Sequence, residues 1–313
     1  MSIISAICKA LLSLLITLGA ISGPATDAPI VFKDSENIRM AAVILSDTHI
    51  ADNAFSGYNL ECGLEDIRNS GQKFDALLIT GDITDMSDER SFDITRDIIR
   101  NAGLFDNVVF AAGNHDIRFV YDKRIPYILK TQSELLNKEI TTPYYSHDVN
   151  GYTVIVINSD EHQVERAVIS DAQLSFIDSE LARATAEGKP AFVIAHQPLA
   201  DTHGLPEYWA TGGDLGEQSY KVREILTKYK NVFYFSGHLH TGIYDKSLLA
   251  LNEENGVYSI NLAAFGKGNA RGKYDQKGLG VYMEVYDGEV VFTARDFVAG
   301  KALDGYSRTF TLK

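Results

Sequence analysis

Apolar, β-branched runs recur along the chain at Ala41 to Leu45, Ala76 to Ile79, Val108 to Ala112, Phe192 to Ala195 and Val232 to Phe235. Runs this short and this uniformly apolar predict strands buried on both faces. Between them, Leu60 to Gly71, Ser87 to Gly103, Ser170 to Gly188 and Tyr220 to Lys230 space their apolar residues three or four apart, and so predict helices. Ser170 and Gln173 read as a capping box, Leu174, Ile177 and Leu181 continue one face, and Gly188-Lys189-Pro190 stops the segment. Ser87, with Asp88 and Glu89 in the first turn, and Gly103 bracket another helix. Strands alternating with helices predict a layered α/β domain, its first strand opening near Ile38.

The pattern changes after Gly256. Val257 to Leu262, Gly280 to Tyr286, Glu289 to Phe297 and Tyr306 to Leu312 follow one another with no helical stretch between them, separated by turns such as Asp287-Gly288. They are expected to complete a second sheet of the same domain. Neither an internal repeat nor a low-complexity tract interrupts the sequence.

The beginning of the chain differs from all of this. Met1 to Lys9 carries one cation, Ala10 to Ile21 is apolar except for Ser13 and Thr17, and Ser22-Gly23-Pro24-Ala25 supplies small residues and a breaker. That order reads as a secretory signal peptide over residues 1–23, followed by a leader over 24–37 and a single domain over 38–313. The expected location is outside the cytoplasm, secreted or at the cell surface, with membrane contact only where the first segment is retained. Cys8 falls in that segment, leaving Cys62 without an internal disulfide partner and best read as a small apolar filler.

Charge narrows the partners. A formal net charge of −13 opposes nucleic acid duplexes, because no basic stripe offsets the repulsion of phosphates. A small anion is a different case, since bound divalent cations would dominate the field where it binds.

The chemistry lies just past the five runs, in Asp47-Thr48-His49, Gly81-Asp82, Gly113-Asn114-His115-Asp116, His196 and Gly237-His238-Leu239-His240. Ligands of open α/β sheets bind beyond the carboxyl ends of the strands, so five such blocks can converge. Five of the eight histidines lie in them, and an order that a single sheet can assemble makes coincidence a poor account. Imidazole, carboxylate and amide donors without cysteine suit manganese, iron or zinc.

This series resembles that of the calcineurin-like metallophosphoesterases over roughly residues 40 to 242, and Gly-Asn-His-Asp with Gly-His-x-His is most similar to the cyclic-nucleotide phosphodiesterase branch. The resemblance implies a four-layer α/β/β/α sandwich of two mixed sheets flanked by helices. It also implies two divalent metal ions, with Asp47, His49 and His240 on the first, Asn114, His196 and His238 on the second, and Asp82 bridging both. Cations sharing a carboxylate lie about 3.5–4 Å apart, close enough to clamp both reacting oxygens of a phosphoryl group. The implied reaction is in-line attack of a metal-bridging hydroxide on phosphorus of a small phosphoester, with His115 as general acid and Asp85 orienting it. Asp116 competes for that orienting role. A phosphodiesterase is favoured; a phosphomonoesterase or protein phosphatase with the same metal core, and a non-catalytic metal-binding protein, stay open.

The remaining candidates carry less. His147, His162 and His203 have no partner at ligand spacing and read as surface or packing residues. Gln197 to Gln218, which holds Pro206, Tyr208 and Trp209, is long for a connection and is expected to shape access, Tyr208 and Trp209 being able to stack on a base or a sugar or to pack the loop down. Gly266-Lys267-Gly268-Asn269, with Arg271 and Lys273, lacks a nucleotide fingerprint and reads as an ordinary mobile hairpin loop.

Overall fold

In strand β1 (Met40–Leu45) every residue is buried, and alternate side chains enter two different cores. Met40, Ala42 and Ile44 face one apolar cluster, and Ala41, Val43 and Leu45 face another. A period of two with no polar face requires a layer on each side. The computed structural model describes residues 28–313 apart from residues 54, 119, 208, 210, 211, 245, 246 and 271–273. The signal-peptide reading of residues 1–23, and those of Tyr208, Arg271 and Lys273, lie outside the described residues.

The chain continues through α1 (Tyr58–Ser70), β2 (Ala76–Ile79), α2 (Glu89–Ala102), β3 (Asn107–Phe110), α3 (Tyr121–Leu136), β4 (Tyr145–Val149), β5 (Tyr152–Val156) and α4 (Asp171–Ala184). It ends through β6 (Ala191–Ile194), α5 (Ser219–Thr227), β7 (Val232–Ser236), β8 (Leu248–Asn252), β9 (Val257–Asn261), β10 (Leu279–Val285), β11 (Glu289–Asp296) and β12 (Lys301–Thr311). One sheet runs β12-β11-β10-β1-β2-β3 and the other β4-β5-β6-β7-β9-β8. Strands β1 to β3 are mutually parallel, as are β5, β6, β7 and β9, while β10 to β12 and the edges β4 and β8 pair antiparallel.

The sheets face each other across a core holding Ile44, Leu78, Phe192, Phe233, Phe235 and Phe292. Helix α1 covers the outer face of the first sheet through Leu60, Leu64 and Ile67, and α4 and α5 cover the second through Ile177, Leu181, Val222 and Leu226. Each wholly buried aliphatic side chain of this kind contributes about 1.5–3 kcal/mol. The result is the α/β/β/α sandwich of two mixed sheets.

Several expectations change on contact with the structure. Of the four carboxy-terminal runs, only Val257 to Leu262 joins the second sheet; the other three extend the first, beginning with β10 beside β1. The metal blocks accordingly end strands of two sheets instead of one: three follow β1, β2 and β3, and two follow β6 and β7. Residues 30–34, read as leader, pack on the body: Ile30 and Phe32 are buried, and the Phe32 ring meets Phe74 edge-on at 5.1 Å. The Lys33 amide donates to Glu284 Oε2 at 2.7 Å and the Asp34 amide to the Tyr286 hydroxyl at 3.0 Å, tying this strap to β10 and the turn after it.

Helix starts are also adjusted. Asp88, not Ser87, caps α2 by accepting from Ser91 N at 2.9 Å. Ser170 caps α4 as read, yet the Gln173 amide turns to Asn158 and Asp160 instead of closing the box. Cys62 is buried and free. No helix of the described residues is long and apolar enough to cross a membrane.

Candidate metal centre

The loops after β1 and β2 keep pairing past the strands, with Asp47 N on Gly81 O, His49 N on Asp82 O and Ile50 N on Ile83 O at 2.8–3.0 Å. Side chains there cannot alternate as in a strand. Asp47, His49, Asp82, His238 and His240 all take φ between 46° and 70°, a left-handed backbone that L-residues avoid and that holds their side chains inward. Two glycines permit this crowding: a Cβ on Gly81, whose φ is 116°, would lie 2.6 Å from His196 Nδ1, and one on Gly113 would lie 2.1 Å from Asp82 Oδ1.

The structure brings all seven sequence-expected ligands together. His240 Nε2 lies 3.0 Å from Asp47 Oδ1 and 3.3 Å from His49 Nε2, which is 3.7 Å from Asp82 Oδ2. His196 Nε2 lies 3.2 Å from the same Asp82 Oδ2, 3.1 Å from Asn114 Oδ1 and 3.1 Å from His238 Nδ1. Asp47, His49, Asp82 and His240 therefore form one group able to hold a metal ion, and Asp82, His196 and His238 a second. A third such group, His49, Asp85 and His115, adjoins them.

The residues present fit divalent cations. Lone-pair atoms face one another at about 3 Å, and two carboxylates, Asp47 and Asp82, are almost fully buried. Buried charges persist only when compensated. Without a cation, the histidines take that part. Burial works to raise both aspartates, yet His240, His196 and His49 hold Asp47, and His196 and His49 hold Asp82, far below the usual carboxylate range. Burial likewise opposes charge on His196, but Asp82 and Asp47 push it up to about 9. His238, buried and beside His196, falls to about 3.

Around this cluster the assigned roles shift. The Asp85 carboxylate accepts from His49 Nδ1 at 3.1 Å and stands 3.8 Å from His115 Nδ1, which donates at 2.8 Å to the Asp85 backbone carbonyl instead. Asp116 is buried and accepts from the amides of Ile83, Thr84 and Gly113, so it fastens two loops together instead of orienting His115. Burial and the nearby Asp82 raise it to about 6. Arg118 donates to His115 Nε2 at 2.8 Å.

Beside the cluster opens a cavity of about 220 Å³, lined among others by His115, Arg118, Glu165, Trp209 and His238. The Trp209 ring stacks on His238 at 5.1 Å and 14°. Sequence reading missed Arg118, Glu165 and Lys267. The Lys267 ammonium sits 3.1 Å from Asp85 Oδ1, and Gly266 N donates to Asp47 O at 2.9 Å, so the stretch read as an ordinary hairpin loop is tied to the metal blocks. Its signal was its charge between two glycines. The other histidines are placed elsewhere: His147 Nε2 meets Asn107 Oδ1 at 2.8 Å across the sheet edges, His203 Nε2 meets Ser259 Oγ at 2.9 Å in the interior, and His162 is exposed.

Comparison with known proteins adds an independent view. The family model described as calcineurin-like phosphoesterase matches residues 40–242. A curated protein of Rhodococcus erythropolis, named a probable cyclic nucleotide phosphodiesterase, is 29% identical over 208 residues. That match spans 63% of this chain and 64% of the relative. Among solved structures, a dimetal phosphatase from Danio rerio superposes with a TM-score of 0.63 at 14% identity, covering 88% of this chain and all of that one. A purple acid phosphatase from yellow lupin gives 0.60 at 16% identity, covering 93% of this chain and 55% of that one.

Proposed function

The chain belongs to the calcineurin-like phosphoesterase family, and from that premise we propose that it is a phosphodiesterase working with two divalent cations of manganese, iron or zinc. The observation that carries this reading is the shared position of Asp82, whose Oδ2 lies 3.7 Å from His49 Nε2 in one ligand group and 3.2 Å from His196 Nε2 in the other. When bound, a cation pair supplies an activated water and polarises the phosphoryl oxygens.

The remaining work falls to the chain. Arg118 lies at the cavity wall and meets charge on the phosphoryl oxygens. His115, held through Nδ1 on the Asp85 carbonyl, directs Nε2 at the Arg118 guanidinium. A substrate that draws the guanidinium onto its own oxygens frees Nε2 to take up a proton from solvent and pass it to the departing oxygen. The diester preference rests on the motif resemblance and on the named relative in Rhodococcus erythropolis. We place the mature protein outside the cytoplasm on the composition of residues 1–23.

The test is a panel of phosphomonoesters, cyclic nucleotides, nucleotides and lipid phosphoesters, assayed with several metals on the chain lacking residues 1–23. The expected result is faster turnover of bis-p-nitrophenyl phosphate than of p-nitrophenyl phosphate. The reverse ratio makes it a monoesterase, and no hydrolysis with any of the metals leaves a metal-binding protein.

A further inference from the structure

The four atoms that face one another in the second ligand group are Asp82 Oδ2, Asn114 Oδ1, His196 Nε2 and His238 Nδ1. Each of these side chains has a second polar atom: His196 Nδ1 meets Thr80 O at 3.2 Å and Asp82 Oδ1 accepts from His115 N at 2.8 Å, while Asn114 Nδ2 and His238 Nε2 both point to the same short segment between β5 and α4. Asn114 Nδ2 donates to Val164 O at 3.0 Å and reaches Glu165 Oε2 at 3.5 Å. His238 Nε2 is buried without a hydrogen-bond partner, and Glu165 Oε2 stands 3.7 Å from it.

That arrangement has a direction. A carboxylate that meant to bind the cation itself would approach the inward atoms; Glu165 approaches the outward ones. An imidazole that gives the Nδ1 lone pair to a cation must carry its proton on Nε2, and the donor then faces Glu165. The Asn114 amide is fixed the same way, because donating Nδ2 to the Val164 carbonyl turns Oδ1 inward. The opposite face of His238 is closed by Trp209, so ring rotation is confined from a second side. Glu165 itself is about one-third exposed, and its removal leaves no cavity in the core.

Resting on the dinuclear reading above, we propose that Glu165 is a positioning residue for the second cation alone: its carboxylate takes the Nε2 proton of His238 in a hydrogen bond and fixes the ring and the Asn114 amide with their lone pairs inward. At 3.7 Å the Glu165 carboxylate stands within ion-pair reach of His238 Nε2. The first group has its own outer carboxylate in Asp85, which acts on His49 and not on these residues. The two sites therefore separate on mutation. Outer carboxylates on metal-bound histidines are worth about 10–100-fold in metal affinity.

The experiment titrates Mn²⁺ into chelator-stripped protein by calorimetry, using the chain lacking residues 1–23, Glu165→Ala and Glu165→Gln, with electron paramagnetic resonance on the same samples. The wild type is expected to take up two equivalents and to show an exchange-coupled pair. Glu165→Ala is expected to weaken one binding step about 10–100-fold, leave the other little changed, and give an uncoupled Mn²⁺ spectrum where the wild type is coupled. Glu165→Gln, which keeps an acceptor oxygen, falls between. Equal melting temperatures of the stripped proteins exclude a folding defect as the cause. Both steps at wild-type affinity in Glu165→Ala, or both weakened alike, overturn the assignment. A wild type that binds two Mn²⁺ but cleaves no phosphoester sinks the phosphodiesterase reading while leaving the Glu165 titration decisive; one that binds fewer than two overturns both.

Discussion

The two halves of the metal centre are built from the same kinds of ligand but supported differently. Around Asp47, His49 and His240, support comes from the chain's own ladder: the β1 and β2 loops pair backbone to backbone, and the carboxylate behind His49 belongs to Asp85, three residues past Asp82. Around Asn114 and His238 the supports are Glu165 and Val164, from a loop that contains no strand-end motif, and Trp209, from the long loop after His196, while His196 itself rests on Thr80 O at 3.2 Å. The first half is stiff because its loops extend a sheet. The second is held by segments that also wall the cavity beside the cluster, so substitutions lining that cavity are expected to touch metal affinity as well.

The largest break in this comparison is expected from Asp82→Ala, which removes the one residue common to both groups. Calorimetry should show neither cation retained, with turnover at background; retention of one tight site would mean the halves are independent. His115→Ala comes next. It should keep both cations and lose about 10²–10⁴-fold in rate on esters with poor leaving groups. Near-normal rates on those esters would remove His115 from the proton step. Asp85→Asn is the counterpart of the Glu165 change, and is expected to weaken the cation beside His49 by about 10–100-fold while sparing the other. If it lowers turnover with metal uptake intact, its work lies with His115 through the loop instead.

The smallest effect is one of pH, seen only in cation-free protein. His196 is raised from 6.5 to about 9, because Asp82 and Asp47 outweigh the cost of burying its charge. The folded chain thus holds a proton there that the unfolded chain releases near pH 6.5. This stabilisation is whole below pH 6.5 and is lost as pH climbs through about 9. The melting temperature of chelated protein should fall across that interval, and saturating Mn²⁺ should abolish the slope. A flat profile without metal would show that Asp82 is compensated in some other way.

Legibility in the sequence follows the same division. The five blocks could be read because each follows an apolar run, and a strand end fixes where the next few residues lie. Glu165, Arg118 and Lys267 could not, since single charged residues in loops acquire meaning only from what the fold sets against them. Lys267 meets Asp85 because the chain after β9 crosses between the sheets to Ser46 and Asp47. Helix α3 lacks a capping side chain and contains Pro126, which hid it. The β4–β5 hairpin was legible and passed over: Asn150-Gly151, with φ of 51° and 80°, is a strong signal for a tight turn. That β10 would enter beside β1 depends on register with a strand far away in sequence, which no local pattern encodes.

The strap of residues 30–34 bears on how the molecule is presented to its surroundings. It grips the approach to β2 and the end of β10, whereas every expected metal ligand lies beyond the opposite ends of the strands. The anchors of the strap therefore lie at the pole away from the metal blocks.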